Sequence, residues 1–181
     1  AVNTKLIDVG FVRTDKFERF FVNAVGIGFD AMVAERTNRI NMLPNAIKYY
    51  YSLLESLLKY KSSTIKVDFD GKSFENKYFL ITIGNGKRTG GAFLLTPEAI
   101  LDDGKLDICL VENKAVSEVI TALPKVLKGE HGSVDGVEFH KTNHLKIEST
   151  SPLYLHFDGD CLSKVKSIEI ELKHKILNLI S

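Results

Sequence analysis

Four short stretches hold the residues best able to do chemistry. His156-Phe157-Asp158-Gly159-Asp160 sets two carboxylates at i and i+2 after an alternating run. On a continuing strand both would point the same way, about 7 Å apart. One could then act as a general base while the other binds a metal or orients it. The same residues also suit a β-turn with Asp158-Gly159 at its corner, and on local grounds the turn is the better reading.

Asn85-Gly86-Lys87-Arg88-Thr89-Gly90-Gly91 combines two adjacent cations with three glycines, so exposed backbone N–H groups and positive charge coincide. That suits a phosphate or another anion, and equally a solvated surface turn. It is not a P-loop, because no Gly-Lys-Ser/Thr follows at the required spacing. Asp102-Asp103-Gly104-Lys105-Leu106-Asp107 packs three carboxylates into six residues. Hard oxygen ligands would take Mg²⁺ or Ca²⁺, but the calcium-loop spacing is missing and a strand-connecting turn is the commoner use. Gly26-Ile27-Gly28 precedes a helical segment without the third glycine of a dinucleotide fingerprint, so a backbone requirement explains it better. Asp30 then reads as a first-turn carboxylate or as part of a cleft. His131, His140, His144 and His174 share no metal-ligand spacing, and neither Cys109 nor Cys161 has an obvious partner base.

These residues sit in an ordinary globular composition. Of 181 residues, 44% are hydrophobic and 26% charged, which excludes wholesale disorder. Net charge is +1, so no basic field points to nucleic acid. No apolar run approaches the roughly 20 residues that cross a bilayer, and no signal peptide opens the sequence. Two cysteines fit a reduced, cytoplasmic setting.

The elements that must position the candidates are mostly strands. Alternation over Leu6 to Val12 and a strand over Phe17 to Val25 form a hairpin about a polar turn. Helices are expected over Ala31 to Asn41, Ala46 to Tyr60 and Ala115 to Lys128, the last bent or interrupted at Pro124. Ile47, Tyr50, Tyr51, Leu54, Leu57 and Leu58 recur at three and four, so one face of the second helix is buried. Further strands are expected at Thr64 to Asp70, Ser73 to Ile83, Leu106 to Val111, Val137 to Lys141, His144 to Ser149, Leu153 to Asp158 and Ile168 to Leu172. Nine to eleven strands and three helices make a mainly β, α+β chain, a β-sandwich with helical insertions. A last apolar strand, Ile176 to Ile180, needs a sheet partner in this domain or elsewhere.

Taken in order, Asn23-Ala24-Val25-Gly26-Ile27-Gly28-Phe29-Asp30-Ala31, Gly84 to Gly91, Thr96-Pro97-Glu98-Ala99 with Asp102 to Asp107, and Asp158-Gly159-Asp160 resemble the bacterial diacylglycerol kinase and related lipid kinase family. The resemblance runs from about Ile7 to Ile180. It implies a two-domain, ATP-dependent kinase that phosphorylates a lipid hydroxyl, most simply diacylglycerol to phosphatidic acid. The family's N-terminal Gly-Gly-Asp-Gly-Thr nucleotide motif is absent from these residues. The resemblance therefore implies that residues 1–175 are the C-terminal β-sandwich domain, inactive alone, and that 176–181 pack on the N-terminal kinase domain.

The resemblance also implies roles. Asp158-Gly159-Asp160 stands where the family has Asp-Gly-Glu, whose carboxylate takes the proton of the lipid hydroxyl. Asp160 is one methylene shorter than that Glu and ranks just ahead of Asp158 as the base. Asp103, with the backbone carbonyls of Ile100 and Lys105, matches a structural Mg²⁺ site. Lys87, Arg88, Gly90 and Gly91 would face ATP phosphates, with Ala92 where a third glycine is common. A lipid acceptor implies peripheral contact at the inner membrane face, although no amphipathic helix stands out as the contact. The competing expectations are a sphingoid-type acceptor, or a non-catalytic module binding an anionic ligand or a partner protein.

Overall fold

A computed structural model describes residues 4–40 and 44–180. The first three residues, Ser181 and the expected helix end at Asn41 lie outside them. Nine strands and three helices follow in the order β1 (Thr4–Thr14), β2 (Glu18–Phe21), β3 (Ala24–Gly28), α1 (Phe29–Arg39), α2 (Asn45–Lys59), β4 (Ser63–Phe69), β5 (Lys72–Gly84), β6 (Leu106–Glu112), α3 (Val116–Lys128), β7 (Val137–Thr142), β8 (His144–Phe157) and β9 (Asp160–Ile180). All strand pairs are antiparallel, in the path β2-β1-β9-β8-β3-β5-β6-β7, with β4 joining β5 and β8.

Two long strands make this a sandwich. The first half of β5 and the first half of β8 hold β4 between them, and their second halves hold β3. Inward residues alternate along each strand: Ile65, Val67 and Phe69 on β4, Leu145 and Ile147 on β8, Ile168 and Ile170 on β9. They join Val25, Ile27, Ile81, Ile83 and Ile108 in one core. Each such side chain contributes about 1.5–3 kcal/mol of burial. A second, smaller cluster of Phe29, Val33, Leu53, Leu57, Phe79 and Leu80 fastens α1 and α2 to the sheet. There Phe29 and Phe79 stack with ring centroids 4.4 Å apart.

Several expected boundaries differ. The strand expected over Phe17 to Val25 breaks at Val22-Asn23, where the chain turns from β2 into β3. The separate runs before and after Pro152 are one strand, β8, whose register against β9 shifts between Glu148 and Leu153. Pro124 lies inside α3, which continues through it to a left-handed Gly129 cap. The segment from Ile176 is not a separate unit. It continues β9, and Thr4 to Ile7 of β1 pair with Leu177 to Ile180. Its sheet partner therefore lies within this chain, while Ile176 and Ile180 stay exposed.

Candidate functional site

Gly26 and Gly28 are dictated by their neighbours. A Cβ on Gly26 would sit 2.1 Å from both Asp30 Oδ2 and His156 Nε2. Gly28 has φ +96 and abuts the Phe79 carbonyl, which lets β3 pass directly into α1. Helix α1 thus begins with Asp30 in its first turn, 13% exposed and turned toward the sheet. Asp30 Oδ1 accepts from the Ala31 N–H at 2.8 Å, and Thr82 Oγ1 lies 3.4 Å from Oδ2. His156, 3% exposed on β8, brings Nε2 to 3.3 Å from the same oxygen.

This pair stands at one end of an apolar cavity of about 150 Å³ between the sheet and the helices. Phe79, Leu80 and Val111 form its floor, with Val33 of α1, Tyr49 and Leu53 of α2, and Val119, Leu123 and Val126 of α3 as walls. No residue of α3 is buried: Val119 packs only partly covered against the second cluster, and with Leu123 and Val126 it lines the cavity. Thr89, Gly90 and Gly159 join Asp30 and His156 in its lining. Thr89 Oγ1 and His156 Nδ1 are buried there with no hydrogen-bond partner among the described residues. Such groups cost stability unless something meets them. Burial pushes the Tyr49 and Tyr60 phenols well above their ordinary value, and the Asp30 charge pushes them the same way.

The Asp158-Gly159-Asp160 stretch is a turn, not a strand. Asp158 (φ 49) and Gly159 (φ 92) carry β8 into β9, and Phe157 pairs with Asp160 across it. The two carboxylates are therefore not parallel neighbours on one strand. Asp158 accepts hydrogen bonds from the backbone N–H groups of Val22, Asn23 and Ala24, each at 2.9 Å. It pins the β2–β3 turn. Asp160 is exposed and lies 3.3 Å from Arg19 Nη2. Gly159 reaches the cavity, and its carbonyl accepts from Asn38 Nδ2 of α1 at 3.4 Å.

Asn23 joins this turn to the glycine loop. Its side-chain amide donates to the Arg88 carbonyl, and its own carbonyl accepts from the N–H groups of Asn85 and Gly86. Gly90 (φ +59) and Gly91 (φ +79) form the tip of that loop, closed by a Thr89–Phe93 bridge. Lys87 and Arg88 are exposed. Asn85 then donates to the Asp8 and Val22 carbonyls, linking the loop to β1.

The acidic turn stands apart from the cavity. Asp103 Oδ1 accepts from the Lys105 N–H at 3.0 Å, and Oδ2 lies 3.6 Å from Lys141 Nζ. Asp107, 5% exposed, is 3.2 Å from the same ammonium. Burial raises the Asp107 carboxyl above its ordinary range, with Lys141 opposing. Among the described residues no cluster of three His, Cys, Asp or Glu side chains forms a metal cage. Asp8 holds this turn: fully buried, it accepts from the N–H groups of Gly104 and Lys175, each at 2.7 Å, and meets His174 Nδ1 at 2.8 Å.

Of the expected site residues Gly90 lines the cavity, Asp158 is taken up by the β2–β3 turn and Asp160 is exposed beside Arg19; sequence reasoning missed His156, Asn23 and Asp8 as organisers. A polar residue flanked by inward-pointing apolar ones was the available signal for Asp8 and His156.

The same fold occurs within a longer solved chain. A structure titled as a diacylglycerol kinase from Bacillus anthracis str. Sterne superposes with a TM-score of 0.64 over 98% of this chain and 54% of that one, at 21% identity. The chain belongs to the family described as the YegS C-terminal NAD kinase beta sandwich-like domain, whose model matches residues 23–181. Among curated proteins it is 27% identical over 159 residues to a diacylglycerol kinase of Mycobacterium tuberculosis, covering 87% of this chain and 51% of that protein. It is 26% identical over 157 residues to one of Bacillus subtilis, covering 85% and 50%. The chain thus spans about half the length of the curated relatives it matches.

Proposed function

We propose that this domain is the acceptor side of an ATP-dependent lipid kinase, with diacylglycerol as the leading acceptor and phosphatidic acid as product. The carrying observation is the apolar cavity whose lining includes Thr89 and His156, each with a buried polar atom that has no partner among the described residues. Such a site suits a molecule with an apolar chain and a hydroxylated head. The acyl chain would lie between α3 and the sheet, and the head would meet Thr89 and His156. The Asp30 carboxylate in the same lining favours a lipid amine, such as a sphingoid base, as the second reading.

In phosphoryl transfer the protein mainly positions the acceptor oxygen and neutralises charge, with a base to take the proton late. Asp160 is the better base of the turn. Asp158 already accepts three backbone N–H bonds, whereas Asp160 holds one exposed ion pair that substrate could displace. Lys87 and Arg88, anchored through Asn23, would offset phosphate charge, with Gly90 and Gly91 allowing close backbone approach.

The donor set at the acidic turn suits Mg²⁺, since Asp103 with the Ile100 and Lys105 carbonyls offers hard oxygens. Bound there, the ion would supply structural charge balance, sharing Asp103 with Lys141. The nucleotide-binding half would complete the ATP site, meeting the exposed apolar edge at Ile176, Leu179 and Ile180.

The test is phosphoryl transfer from labelled ATP by the complete kinase, offered diacylglycerol or a sphingoid base. Asp160→Asn is expected to lower turnover by about 10²-fold or more. Wild-type turnover in that variant removes Asp160 from the mechanism, and no transfer to either lipid rejects the kinase reading.

A further inference from the structure

Val22 and Asn23 form the whole connection between β2 and β3, and Asn23 is bonded on both sides of it. Toward β8, its N–H donates to Asp158 Oδ1 at 2.9 Å, beside the N–H groups of Val22 and Ala24. Toward the glycine loop, its carbonyl accepts from the Asn85 and Gly86 N–H groups at 2.8 and 2.9 Å. Its side-chain amide donates to the Arg88 carbonyl at 2.9 Å. One residue thus grips Asp158, 135 positions away, and three backbone groups of the loop that carries Lys87 and Arg88.

The loop is shaped to this contact. A Cβ on Gly86 would lie 2.2 Å from Asn23 Oδ1, so a glycine lets the amide lie over the loop backbone. Thr96, fully buried, donates to the Gly86 carbonyl at 2.8 Å and fixes the same residue from another side. Beyond these bonds both segments face solvent, with Lys87 and Arg88 exposed on the loop and Asp160 on the turn. Both also reach the cavity, through Thr89 and Gly90 from the loop and Gly159 from the turn.

We infer that Asn23 is a positioning residue, the clasp that keeps the Asp160 turn and the Lys87–Arg88 loop in one fixed relation. The inference rests on the kinase reading, in which the turn takes the acceptor proton and the loop meets phosphate. In-line transfer demands close placement, and an error of about 1 Å can cost 10²-fold in rate. Two exposed segments anchored separately would drift against each other, whereas segments anchored on one residue move together. Asn23 works through them. Its amide supplies the donor that the Arg88 carbonyl needs, and an ionised Asp of the same shape can only accept.

The first experiment is hydrogen exchange by NMR on the chain alone, which involves no kinase activity. Asn23→Ala and Asn23→Asp are each expected to speed exchange by about ten-fold or more in two groups of amides, with β4 unchanged. One group is Asn85, Gly86 and Thr89 on the loop side, and the other is Val22, Ala24 and Asp158 on the turn side. Faster exchange in one group alone, or in neither, overturns the inference. In the complete kinase, both variants are expected to lower kcat by about ten-fold or more, with the KM for diacylglycerol within about two-fold of the parent. Gly86→Ala, which displaces the amide from the loop side, is expected to give the same split. Parental kcat in these variants overturns the inference, as does a raised lipid KM with kcat unchanged. So does full activity in Asn23→Asp beside a loss in Asn23→Ala, since volume alone would then matter. A parent enzyme that transfers phosphate to no lipid rejects the kinase reading, and the exchange result alone then decides whether the clasp exists.

Discussion

Asp30 Oδ2 and His156 Nε2 lie 3.3 Å apart directly over the Cα of Gly26, although 126 positions separate them in the chain. The glycine makes room for the pair. Gly26→Ala puts a methyl 2.1 Å from both atoms and is expected to cost about 1–3 kcal/mol through overpacking. Because the pair lines the cavity proposed for the acceptor, lipid phosphorylation is expected to fall further than stability does. Thermal melting together with the kinase assay separates the two, and equal losses in both would make the pair purely structural.

Asp158 and Asp160 make different contacts, and two measurements tell them apart. Asp158→Ala strips three backbone N–H groups of their acceptor and is expected to destabilise by about 2 kcal/mol, or roughly 4–8 °C in Tm. Asp160→Ala removes one exposed ion pair and is expected to shift stability by less than about 0.5 kcal/mol. A larger loss of stability at Asp160 than at Asp158 would reverse the assignment.

Lys141 is expected to act as a resident cation for Asp103 and Asp107. The Asp107 carboxyl is raised by burial, so its folded form holds a proton more tightly than the unfolded chain does. Its contribution to stability is therefore present at low pH and lost as pH climbs from about 3.9 through the raised value. Lys141→Met removes the opposing charge, so melting at pH 7 is expected to drop and to recover on acidification. Millimolar Mg²⁺ is expected to raise Tm more in this variant than in the parent. No response to Mg²⁺ in either protein would end the case for a cation at Asp103.

His131 carries a pH dependence of the other sign. Burial against Phe139 and Cys109 lowers its imidazole below the ordinary value, outweighing a contact with the Leu95 backbone. The unfolded chain takes the proton first, so stability is expected to fall as pH drops below about 6.5. His131→Phe is expected to flatten that part of the Tm profile, and an unchanged slope would assign the acid loss elsewhere.

The thiols are expected to be inert in the native chain. Burial, with Glu35, Asp30 and Asp160 nearby, pushes Cys161 up to about 12. Its thiolate at pH 8 is then on the order of one in ten thousand. Cys109 is fully buried and pushed higher still. Iodoacetamide at pH 8 is expected to label neither before denaturation and both after, as read by mass. Native labelling of Cys161 would mean that its surroundings open readily.

Local chemistry was legible where the backbone itself was constrained. The glycines at 26, 28, 90, 91 and 159 marked turns and close approaches, and their order carried the family resemblance. The alternation of β4 was equally plain, because one face of that strand meets the core. Long-range pairing was not legible. Pro152 and the β8–β9 register shift disguised one strand as two. The polar run Lys173-His174-Lys175 hid the fact that β9 continues to Ile180, because its irregularity is satisfied by Asp8, some 167 positions away. Asp158 was read as a possible base because a carboxylate in a turn looks the same in sequence whether its oxygens are free or already taken. The buried stripe expected on α2 was the wrong face: Ile47, Tyr50, Tyr51, Leu54 and Leu58 are exposed, and Leu57 goes inward with Leu53 instead.

The claim that matters most is that the cavity between α3 and the sheet takes the acyl chain of the acceptor. Photolabelling measures this directly, using vesicles that carry a diacylglycerol with a diazirine in its acyl chain, followed by peptide mapping. Adducts are expected on cavity residues such as Leu53, Phe79, Phe93 and Val119, suppressed by excess unlabelled diacylglycerol and by Val119→Trp, which fills the space. Adducts confined to the exposed Leu54 and Leu58 of α2, with the cavity unlabelled, would contradict that claim.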